Sequence, residues 1–215
     1  MKTAGKPKIG LALGGGSIRG FAHIGVLEAF EEAKIPIDFI AGTSIGSAVG
    51  AMYACGQIPK HLAEVLPRLD LKAVVPFRPH RTGFLDGKDY RETIELLTFH
   101  RNIEETLIPF RAVAVDLISW QKVVLDRGPI GKAVQASSAV PGIFVPVEWG
   151  DWLLADGFLL ENVPTCVVRD MGADLVIGVD ISYPSRTRPK HMIDIMNRAL
   201  DIATKSQPIA EADYL

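Results

Sequence analysis

The stretch IDFIAGTSIGSAVGAMYACG, residues 37–56, decides how the rest of the sequence is interpreted. Phe39 to Ala41 is a short apolar run that predicts a buried strand, and Ser47 to Cys55 is rich in small residues and predicts a helix that stops at Gly56. Between them, residues 42–46 (GTSIG) fit the pattern G-x-S-x-G. A strand, a tight turn centred on a serine and a helix together form a nucleophile elbow.

The residue types around Ser44 suit such a turn. A serine in a strained turn needs neighbours without bulk, and Gly42 and Gly46 meet that need. The helix behind Ser44 also presents free N–H groups and the positive end of its dipole. The pattern is short, so an ordinary strand-to-helix turn with an incidental serine stays open on this motif alone.

Composition and charge bound the class of protein. The 215 residues are 48% hydrophobic and 22% charged, with a net charge of −2, which predicts one globular domain over residues 1–215 with a substantial core. The absence of a positive excess argues against a nucleic-acid partner. Cys55 and Cys166 predict buried free thiols in a reducing compartment, and no apolar run is long enough to span a membrane. We therefore expect a cytoplasmic protein, with peripheral contact to a membrane left open.

Strands and helices alternate along the chain. Lys8 to Leu13 predicts a first strand, and the apolar spacing from Phe21 to Lys34 predicts the helix that follows it. Two strand–helix units in succession predict an α/β fold of three layers, with a mostly parallel central sheet flanked by helices. Further helices are predicted over 59–70, 89–99 (with Asp89 as N-cap), 129–139, 164–171 and 190–205, and further strands over 110–117, 120–125, 145–149, 152–155 and 174–181.

The glycine-rich loop at residues 14–20, GGGSIRG, allows three interpretations. A dinucleotide-binding loop fits poorly, because Arg19 takes the third glycine position and the second strand does not end in an acidic residue. A plain strand-to-helix turn stays open. The third interpretation is an oxyanion hole, since glycines let backbone N–H groups approach a ligand closely. Arg19 would then hold the loop or attract a negatively charged head group.

A serine nucleophile needs a base, and the sequence offers several. None of the five histidines, at positions 23, 61, 80, 100 and 191, follows a late strand as in α/β-hydrolases, and we interpret His23, His61 and His100 as bystanders. Among the carboxylates, Asp156 follows an apolar strand and precedes a glycine, and Asp86 also precedes a glycine. Local context leaves these two as close rivals, with Asp116 and Asp180 as alternatives.

Three separated elements occur together in order: GGGSIRG at 14–20, GTSIG at 42–46 and ADGFLLENVP at 155–164. The sequence GFAHIGVLEAFEE after the loop, ASSAVPGIFVPV at 136–147 and GADLVIGVDIS at 172–182 add to them. With these elements, nearly the whole chain resembles the patatin-like phospholipase family, in particular its small bacterial members. The resemblance implies a patatin-like fold, related to the α/β-hydrolase type of architecture.

The family resemblance also implies a mechanism, a Ser-Asp dyad without histidine. Matched by motif, the nucleophile falls on Ser44, the general base on Asp156, and the oxyanion hole on the backbone of Gly15 and Gly16, with Arg19 as the basic position of the loop. The motifs also contain Gly14, Gly20, Gly42, Gly46 and Gly157. The implied reaction is hydrolysis of a lipid or other acyl ester through an acyl-enzyme, with no metal or cofactor.

Other activities stay open beside this one. A thioesterase or a general esterase would use the same groups. A catalytically weak relative that regulates or binds lipid would keep the same fold, but the intact Ser44 and Asp156 favour the enzyme.

Two features depart from the family pattern. Phe158 stands where a glycine or alanine is usual after Asp156-Gly157, and phenylalanine does not adopt positive φ without strain. We therefore expect a differently shaped turn or a tolerant third position. The chain also stops at Leu215, whereas members of this kind commonly continue into a further strand and helix, which leaves open a truncation at the C-terminus.

Overall fold

A mixed β-sheet organises the fold in the computed structural model, which describes residues 6–183, 187–205 and 209–215. The strands are β1 (Ile9–Leu13), β2 (Phe39–Thr43), β3 (Phe110–Asp116), β4 (Gln121–Leu125), β5 (Val147–Trp149), β6 (Trp152–Asp156) and β7 (Leu175–Val179). The α-helices are α1 (Phe21–Glu32), α2 (Ile45–Ala54), α3 (Pro59–Val65), α4 (Leu71–Val74), α5 (Lys88–Leu97), α6 (Ile130–Ser137), α7 (Thr165–Asp170) and α8 (Met192–Lys205). Short 3₁₀ turns span Ser17–Gly20, Leu66–Arg68, Ile103–Glu105 and Gly157–Leu159.

The strands follow the order β5-β6-β3-β2-β1-β7, and β4 pairs with β3 outside this path. Neighbours are parallel from β7 through β1 and β2 to β3. β4 and β6 pair antiparallel with β3, and β5 pairs antiparallel with β6. Of the strands described, therefore, only β4 and β6 run against the rest. The predicted α/β fold with a mostly parallel sheet flanked by helices is confirmed.

Helices cover both faces of the sheet because side chains alternate in direction along a strand. Leu11, Leu13 and Ile40 belong to a large apolar cluster that includes residues of α1, α2 and α6. Ala12 lies between Leu11 and Leu13 in sequence, and Ala41 follows Ile40. Both alanines belong to a second cluster, which includes residues of α7. Burial on both faces explains why β1 and β2 are apolar throughout instead of alternating with polar residues.

β3 brings together the ends of two other strands. One of its edges pairs with β4, so β2 and β6 share the other edge. The pairing with β2 ends at Val113, and the pairing with β6 begins at the next residue, Ala114. β2 and β6 run toward each other along this edge, so their carboxyl ends meet. Ser44 follows the end of β2 and Asp156 is the last residue of β6, so the sheet itself brings the two together.

One helix start differs from its prediction for a clear reason. α5 begins at Lys88, with Gly87 in the left-handed conformation (φ 68°) as its N-cap. The predicted cap, Asp89, is wrong: it lies in the first turn, and its carboxylate pairs with Arg78 at 2.5 Å. The helices predicted over 59–70, 129–139 and 190–205 are present but shorter, as Pro59–Val65, Ile130–Ser137 and Met192–Lys205.

The two cysteines match the prediction in part. Cys55 and Cys166 are both free thiols, as predicted, but only Cys55 is buried, and Cys166 is half-buried. No helix in the described part of the chain is long and apolar enough to cross a bilayer. Over those same ranges, no group of histidine, cysteine, aspartate and glutamate side chains is arranged to hold a metal ion.

Candidate active site

Ser44 occupies the sharp turn between β2 and α2. Its backbone has φ 53° and ψ −126°, and it is the N-cap of α2, so the helix begins at Ile45 and not at the predicted Ser47. Holding a residue other than glycine in such a region costs about 1–3 kcal/mol, which the surrounding structure must offset. The predicted serine turn is therefore present, and it is strained.

The motif glycines allow the backbone around this turn to pack closely. A Cβ atom on Gly42 would lie 2.5 Å from the backbone of Gly46, and one on Gly46 would lie 2.1 Å from the carbonyl oxygen of Leu13. A Cβ atom on Gly20 would lie 2.1 Å from the side chain of Ile45. None of the three positions has room for a side chain, so β1, the glycine loop and α2 can meet only where glycine stands.

Two other serines hold the backbone of Ser44. The Oγ of Ser137 accepts a hydrogen bond from the Ser44 N–H at 2.9 Å and donates one to the carbonyl of Val113 at 2.6 Å. The Oγ of Ser47 donates to the Ser44 carbonyl at 2.6 Å. Because Ser137 and Ser47 are both fully buried, water does not compete for these bonds, and they help to offset the strain of the turn.

Asp156 is completely buried at the end of β6. Its N–H donates to the carbonyl of Ala139 at 3.0 Å, and its Oδ1 accepts a hydrogen bond from the N–H of Phe158 at 3.0 Å. Phe158 lies in the 3₁₀ turn Gly157–Leu159 and does not have positive φ. The third position of the motif that begins at Asp156 therefore tolerates a bulky residue. A Cβ atom on Gly157, in contrast, would lie 2.3 Å from the carbonyl oxygen of Val113.

The carboxyl group of Asp156 ionises in an unusual range. Burial raises its pKa to about 7, against the lowering effects of the Phe158 N–H and the Ser44 hydroxyl. The hydroxyl of Ser44 is thus close enough to act on the carboxyl group. No group in the described structure forms a hydrogen bond of standard geometry with Oδ2, however, although this oxygen is buried. A carboxylate oxygen without a donor, beside a serine hydroxyl, is an arrangement able to accept the serine proton.

The other candidate bases lie in different surroundings. Asp86 is half-buried and pairs with Arg78 at 3.4 Å. Asp116 accepts hydrogen bonds from the turn that follows β3, and Asp180 accepts two from Ser182. Local donors therefore engage each of these carboxylates. Four of the five histidines are exposed: His61, His80, His100 and His191.

β7 and α1 fix the first residue of the glycine loop. The N–H of Gly14 donates to the carbonyl of Val179 at 3.0 Å, and its carbonyl contacts Nε2 of His23 at 2.7 Å. A carbonyl can only accept, so Nε2 carries a proton, and since burial lowers the pKa of His23 the ring is neutral. His23 holds the loop and is not an incidental helix residue. Its Nδ1 is buried, with no partner in the described ranges.

Gly15 lies beside the nucleophile turn, and Gly16 follows it in the loop. A Cβ atom on Gly15 would lie 3.3 Å from the Cβ of Ser44. The N–H of Gly15 is shared between two oxygens of Asn162, the backbone carbonyl and Oδ1, each at 3.2 Å. Among the residues that the structure describes, none accepts a hydrogen bond from the N–H of Gly16. The two predicted oxyanion donors therefore differ, because one already has acceptors and the other does not.

Arg19 holds the outer side of the loop. Its Nε donates to the carbonyl of Gly16 at 3.1 Å, and its Nη1 donates to the carbonyl of Tyr183 at 2.7 Å. Both bonds fix backbone, and the side chain is otherwise exposed. Of the two predicted roles, these contacts support holding the loop.

Asn162 and Ser137 are residues of this site that sequence patterns did not single out. Both lie within stretches that carry the family resemblance, ADGFLLENVP and ASSAVPGIFVPV. That resemblance is the sequence signal that could have indicated them. Asn162 contacts a residue 147 positions away in sequence, and Ser137 contacts one 93 positions away. Local spacing therefore contains no information about either contact.

A separate cleft lies at the other end of the strands. It has a volume of about 280 Å³ and is lined by the starts of β2 and β3, at Phe39 and Phe110, and by Ile103. Neither Ser44 nor Asp156 lines it. The serine and the aspartate therefore define the candidate site, and this cleft does not.

A family model described as "Patatin-like phospholipase" matches residues 11–168, which include the glycine loop, the serine turn and the segment from Asp156 to Pro164. The chain belongs to the patatin-like phospholipase family. Two relatives show how much of each the chain represents.

An uncharacterized NTE family protein of Mycobacterium tuberculosis is 34% identical over 184 residues, which cover 85% of this chain and 51% of that protein. Patatin-like phospholipase domain-containing protein 6 of Homo sapiens is 34% identical over 193 residues, which cover 83% of this chain and 14% of that protein. The chain spans about half the length of the first relative and a small part of the second.

A solved structure supports the patatin-like fold. VipD from Legionella pneumophila aligns with a TM-score of 0.64 at 14% identity, over 74% of this chain and 47% of that one. At this identity, the similarity concerns the fold alone.

Proposed function

We propose that this patatin-like chain is a serine hydrolase that cleaves carboxylic esters of lipids, with Ser44 as nucleophile and Asp156 as general base. The observation that carries the proposal is the meeting of a strained serine with a fully buried aspartate whose Oδ2 has no donor in the described structure. Membership of a phospholipase family supports a lipid as the substrate. A histidine base is disfavoured, since His23 is bonded to Gly14 and the other four histidines are exposed.

In the first step, the hydroxyl oxygen of Ser44 attacks the carbonyl carbon of the ester while Asp156 takes its proton. With a pKa of about 7, Asp156 is ionised in a good part of its molecules at neutral pH and binds a proton better than an ordinary carboxylate does. Both properties favour a general base, because the best catalytic pKa lies near the working pH. The alcohol then leaves with the proton held by Asp156, and the acyl group stays on Ser44.

The negative oxygen of the tetrahedral intermediate needs donors. The N–H of Gly16, which has no acceptor among the described residues, supports a place for it in the oxyanion hole, and Gly15 lies next to Ser44. Backbone donors fixed before the reaction stabilise a developing charge without reorganising. Arg19 contributes by holding the carbonyl of Gly16.

In the second step, water attacks the acyl-enzyme. Asp156, which is ionised again after the alcohol has left, takes a proton from the water as its oxygen bonds to the acyl carbon. The ester bond to Ser44 breaks, the serine oxygen takes the proton back from Asp156, and the fatty acid is released. One base thus serves both steps.

Exposed apolar side chains next to the glycine loop support a substrate with acyl chains. Ile18, within the loop, is 69% exposed, and Phe21, directly after Gly20, is 42% exposed. Apolar side chains grouped on a surface favour binding of a lipid or a membrane surface. Peripheral membrane contact by a cytoplasmic protein is therefore part of the proposal, and the net charge of −2 argues against a nucleic-acid partner.

Covalent labelling tests the proposed function. A fluorophosphonate probe reacts with an activated serine, with loss of fluoride, and mass spectrometry locates the adduct. We expect one adduct, on Ser44, in the wild type and in Ser182→Ala, an exposed-serine control, and none in Ser44→Ala. Hydrolysis of a p-nitrophenyl ester should fall by about 10³-fold or more in folded Ser44→Ala.

Three results would count against the proposal. An adduct on another residue, or an active Ser44→Ala protein, would contradict the nucleophile. A folded wild type that neither reacts with the probe nor hydrolyses esters would favour a lipid-binding relative without catalysis.

A further inference from the structure

The segment that follows Asp156 links two other parts of the candidate site. Thr43, the residue before Ser44, donates its Oγ1 hydrogen bond to the carbonyl of Glu161 at 3.0 Å. The next residue in the segment, Asn162, accepts the N–H of Gly15. The segment therefore holds the nucleophile turn and the glycine loop at a fixed distance from each other.

The side chain of Asn162 reaches the same space as the nucleophile. A Cβ atom built on Gly15 would lie 2.8 Å from Oδ1 of Asn162 and 3.3 Å from the Cβ of Ser44. The carboxamide oxygen and the serine therefore lie on the same side of Gly15. An oxyanion formed on Ser44 would develop close to this oxygen.

The bond between Gly15 and Asn162 is one that a substrate can replace. Both acceptors lie at 3.2 Å from the Gly15 nitrogen, at the long end of the range for N–H···O bonds. A shared N–H at this distance is held in direction but not bound strongly. The Gly15 N–H can turn toward a stronger, negatively charged acceptor once one forms, since hydrogen bonds to ionised groups are shorter and about twice as strong.

Charge explains why an amide suits this position. Aspartate has nearly the same shape as asparagine and would accept the Gly15 N–H more strongly. It would, however, place a second negative charge near the carboxylate of Asp156 and directly beside the developing oxyanion. Like charges at such short separations oppose the build-up of charge in the transition state. A neutral acceptor holds the loop without that penalty.

We propose, on the basis of the proposed function, that Asn162 is a positioning residue: its neutral side chain aims the Gly15 N–H at the site of the oxyanion and releases it as the negative charge forms. In the described structure Asn162 accepts the Gly15 N–H and forms no hydrogen bond with Ser44 or Asp156. We therefore expect it to act on the rate of the chemical step and to leave substrate binding largely unchanged.

Three purified variants of the full chain test this role: Asn162→Asp, Asn162→Ala and Asn102→Asp. Asn102 is the matched control, because its side chain also accepts a backbone N–H, in the capping box of the 3₁₀ turn Ile103–Glu105. That turn lines the cleft at the opposite end of the strands. For each protein, kcat and KM on a p-nitrophenyl ester and the labelling rate of Ser44 are measured, with a thermal melt to verify folding.

We expect Asn162→Asp to lower kcat and the labelling rate by about 10²-fold, the loss typical of a removed oxyanion donor, with KM within about threefold. Asn162→Ala should lose less, about tenfold, because the backbone carbonyl still accepts the Gly15 N–H. Asn102→Asp should match the wild type. If Asn162 only fills space, alanine should be at least as harmful as aspartate, and that order would overturn the proposal.

Two further outcomes are separable. If Asn162→Asp does not fold, Asn162→Ser is measured instead. It should react faster than Asn162→Ala, because serine restores an acceptor. Equal rates for the wild type and Asn162→Ala would overturn the inference. A folded wild type that is not labelled at Ser44 would overturn the proposed function first, and this inference with it. A labelled wild type with unaffected Asn162 variants would overturn this inference alone.

Discussion

Asp116 and Asp156 end two neighbouring antiparallel strands, β3 and β6, and both have almost no solvent exposure, at 2% and 0%. Asp116 nevertheless lies close to the surface, whereas Asp156 lies deep inside the protein. Their pKa values move in opposite directions. Hydrogen bonds, first from the Ser119 hydroxyl and then from backbone N–H groups, lower the pKa of Asp116 to about 2. Deep burial raises the pKa of Asp156 to about 7, and the hydrogen bond that its carboxylate accepts from the Phe158 N–H offsets this only in part.

The difference shows that low solvent exposure alone does not make a carboxylate basic. The depth of burial, which raises the pKa, and the supply of hydrogen-bond donors, which lowers it, decide together. Asp116 accepts bonds from Ser119 Oγ at 2.6 Å and from the Leu153 N–H at 2.9 Å, and it serves as a structural acceptor. Asp156 keeps Oδ2 without a donor in the described structure, and we propose that this oxygen accepts the proton of Ser44.

The comparison predicts its largest effect in turnover. Asp156→Asn should lower kcat by about 10³-fold or more, because the amide keeps the size of the side chain but cannot take the serine proton. Asp116→Asn, the same change one strand away, should keep most of the activity. Ester hydrolysis with circular dichroism as a folding control measures both. A folded Asp116→Asn protein without activity, or an active Asp156→Asn protein, would reverse the assignment.

A charged residue that only holds backbone should have a smaller effect. Arg19→Ala removes the bonds to the carbonyls of Gly16 and Tyr183 but no group that we place next to the reacting atoms. We expect a loss of kcat of less than about 10²-fold, below the loss of one oxyanion donor. The same ester assay checks it, and Arg68→Ala, in another 3₁₀ turn, is the control. A folded Arg19→Ala protein as inactive as Ser44→Ala would mean that Arg19 contacts the reacting atoms.

Stability should show the opposite signs of the two shifts. The pKa of Asp156 is about 7 in the folded protein and 3.8 ordinarily, so the folded state binds the extra proton between about pH 4 and pH 7. Stability from this group is present below pH 4 and is lost as pH rises through 7. Asp156→Asn should therefore be more stable than the wild type at pH 8, by on the order of 4 kcal/mol, and equal to it near pH 4. Denaturant melts at both pH values measure the difference, and a variant less stable at pH 8 would contradict the raised pKa.

Asp116 gives the smallest and inverse effect. Its pKa of about 2 lies below its ordinary value of 3.8, so its contribution to stability is present above about pH 4 and is lost as pH falls through 2. Ser119→Ala removes the donor with the largest effect. We expect this variant to melt at a lower temperature at pH 7 and to approach the wild type near pH 2. An equal difference at both pH values would show that Ser119 acts through packing and not through Asp116.

Much of the fold could be predicted from local patterns. β1 and β2 are short apolar runs that end next to the glycine loop and the serine turn, and each of these leads into a helix. These signals lie within a few residues of the structure they specify. The predicted cap at Asp89 failed because Gly87 can adopt the left-handed conformation that the start of α5 uses, and a side-chain pattern does not reveal a backbone conformation.

The partners of Ser44 could not be predicted in the same way. Local context left Asp86 and Asp156 as rivals, and only the family resemblance favoured Asp156. What separates them physically is the pairing of β2 and β6 on the same edge of β3, which depends on residues far apart in sequence. Asn162 and His23 were missed for a related reason, because their bonds to the glycine loop depend on how the segments pack.

The pH dependence of Ser44 labelling tests the pairing of Ser44 and Asp156 most directly. In the wild type, we expect the rate of reaction with a fluorophosphonate to fall on the acid side as one proton binds, with a midpoint near pH 7, the pKa of Asp156. The midpoint should not move when the exposed histidines His61, His80, His100 and His191 are replaced by alanine. In folded Asp156→Asn the rate should be lower throughout, and the step near pH 7 should be absent. A step that persists near pH 7 in Asp156→Asn, or one that disappears with a histidine, would contradict the Ser-Asp dyad.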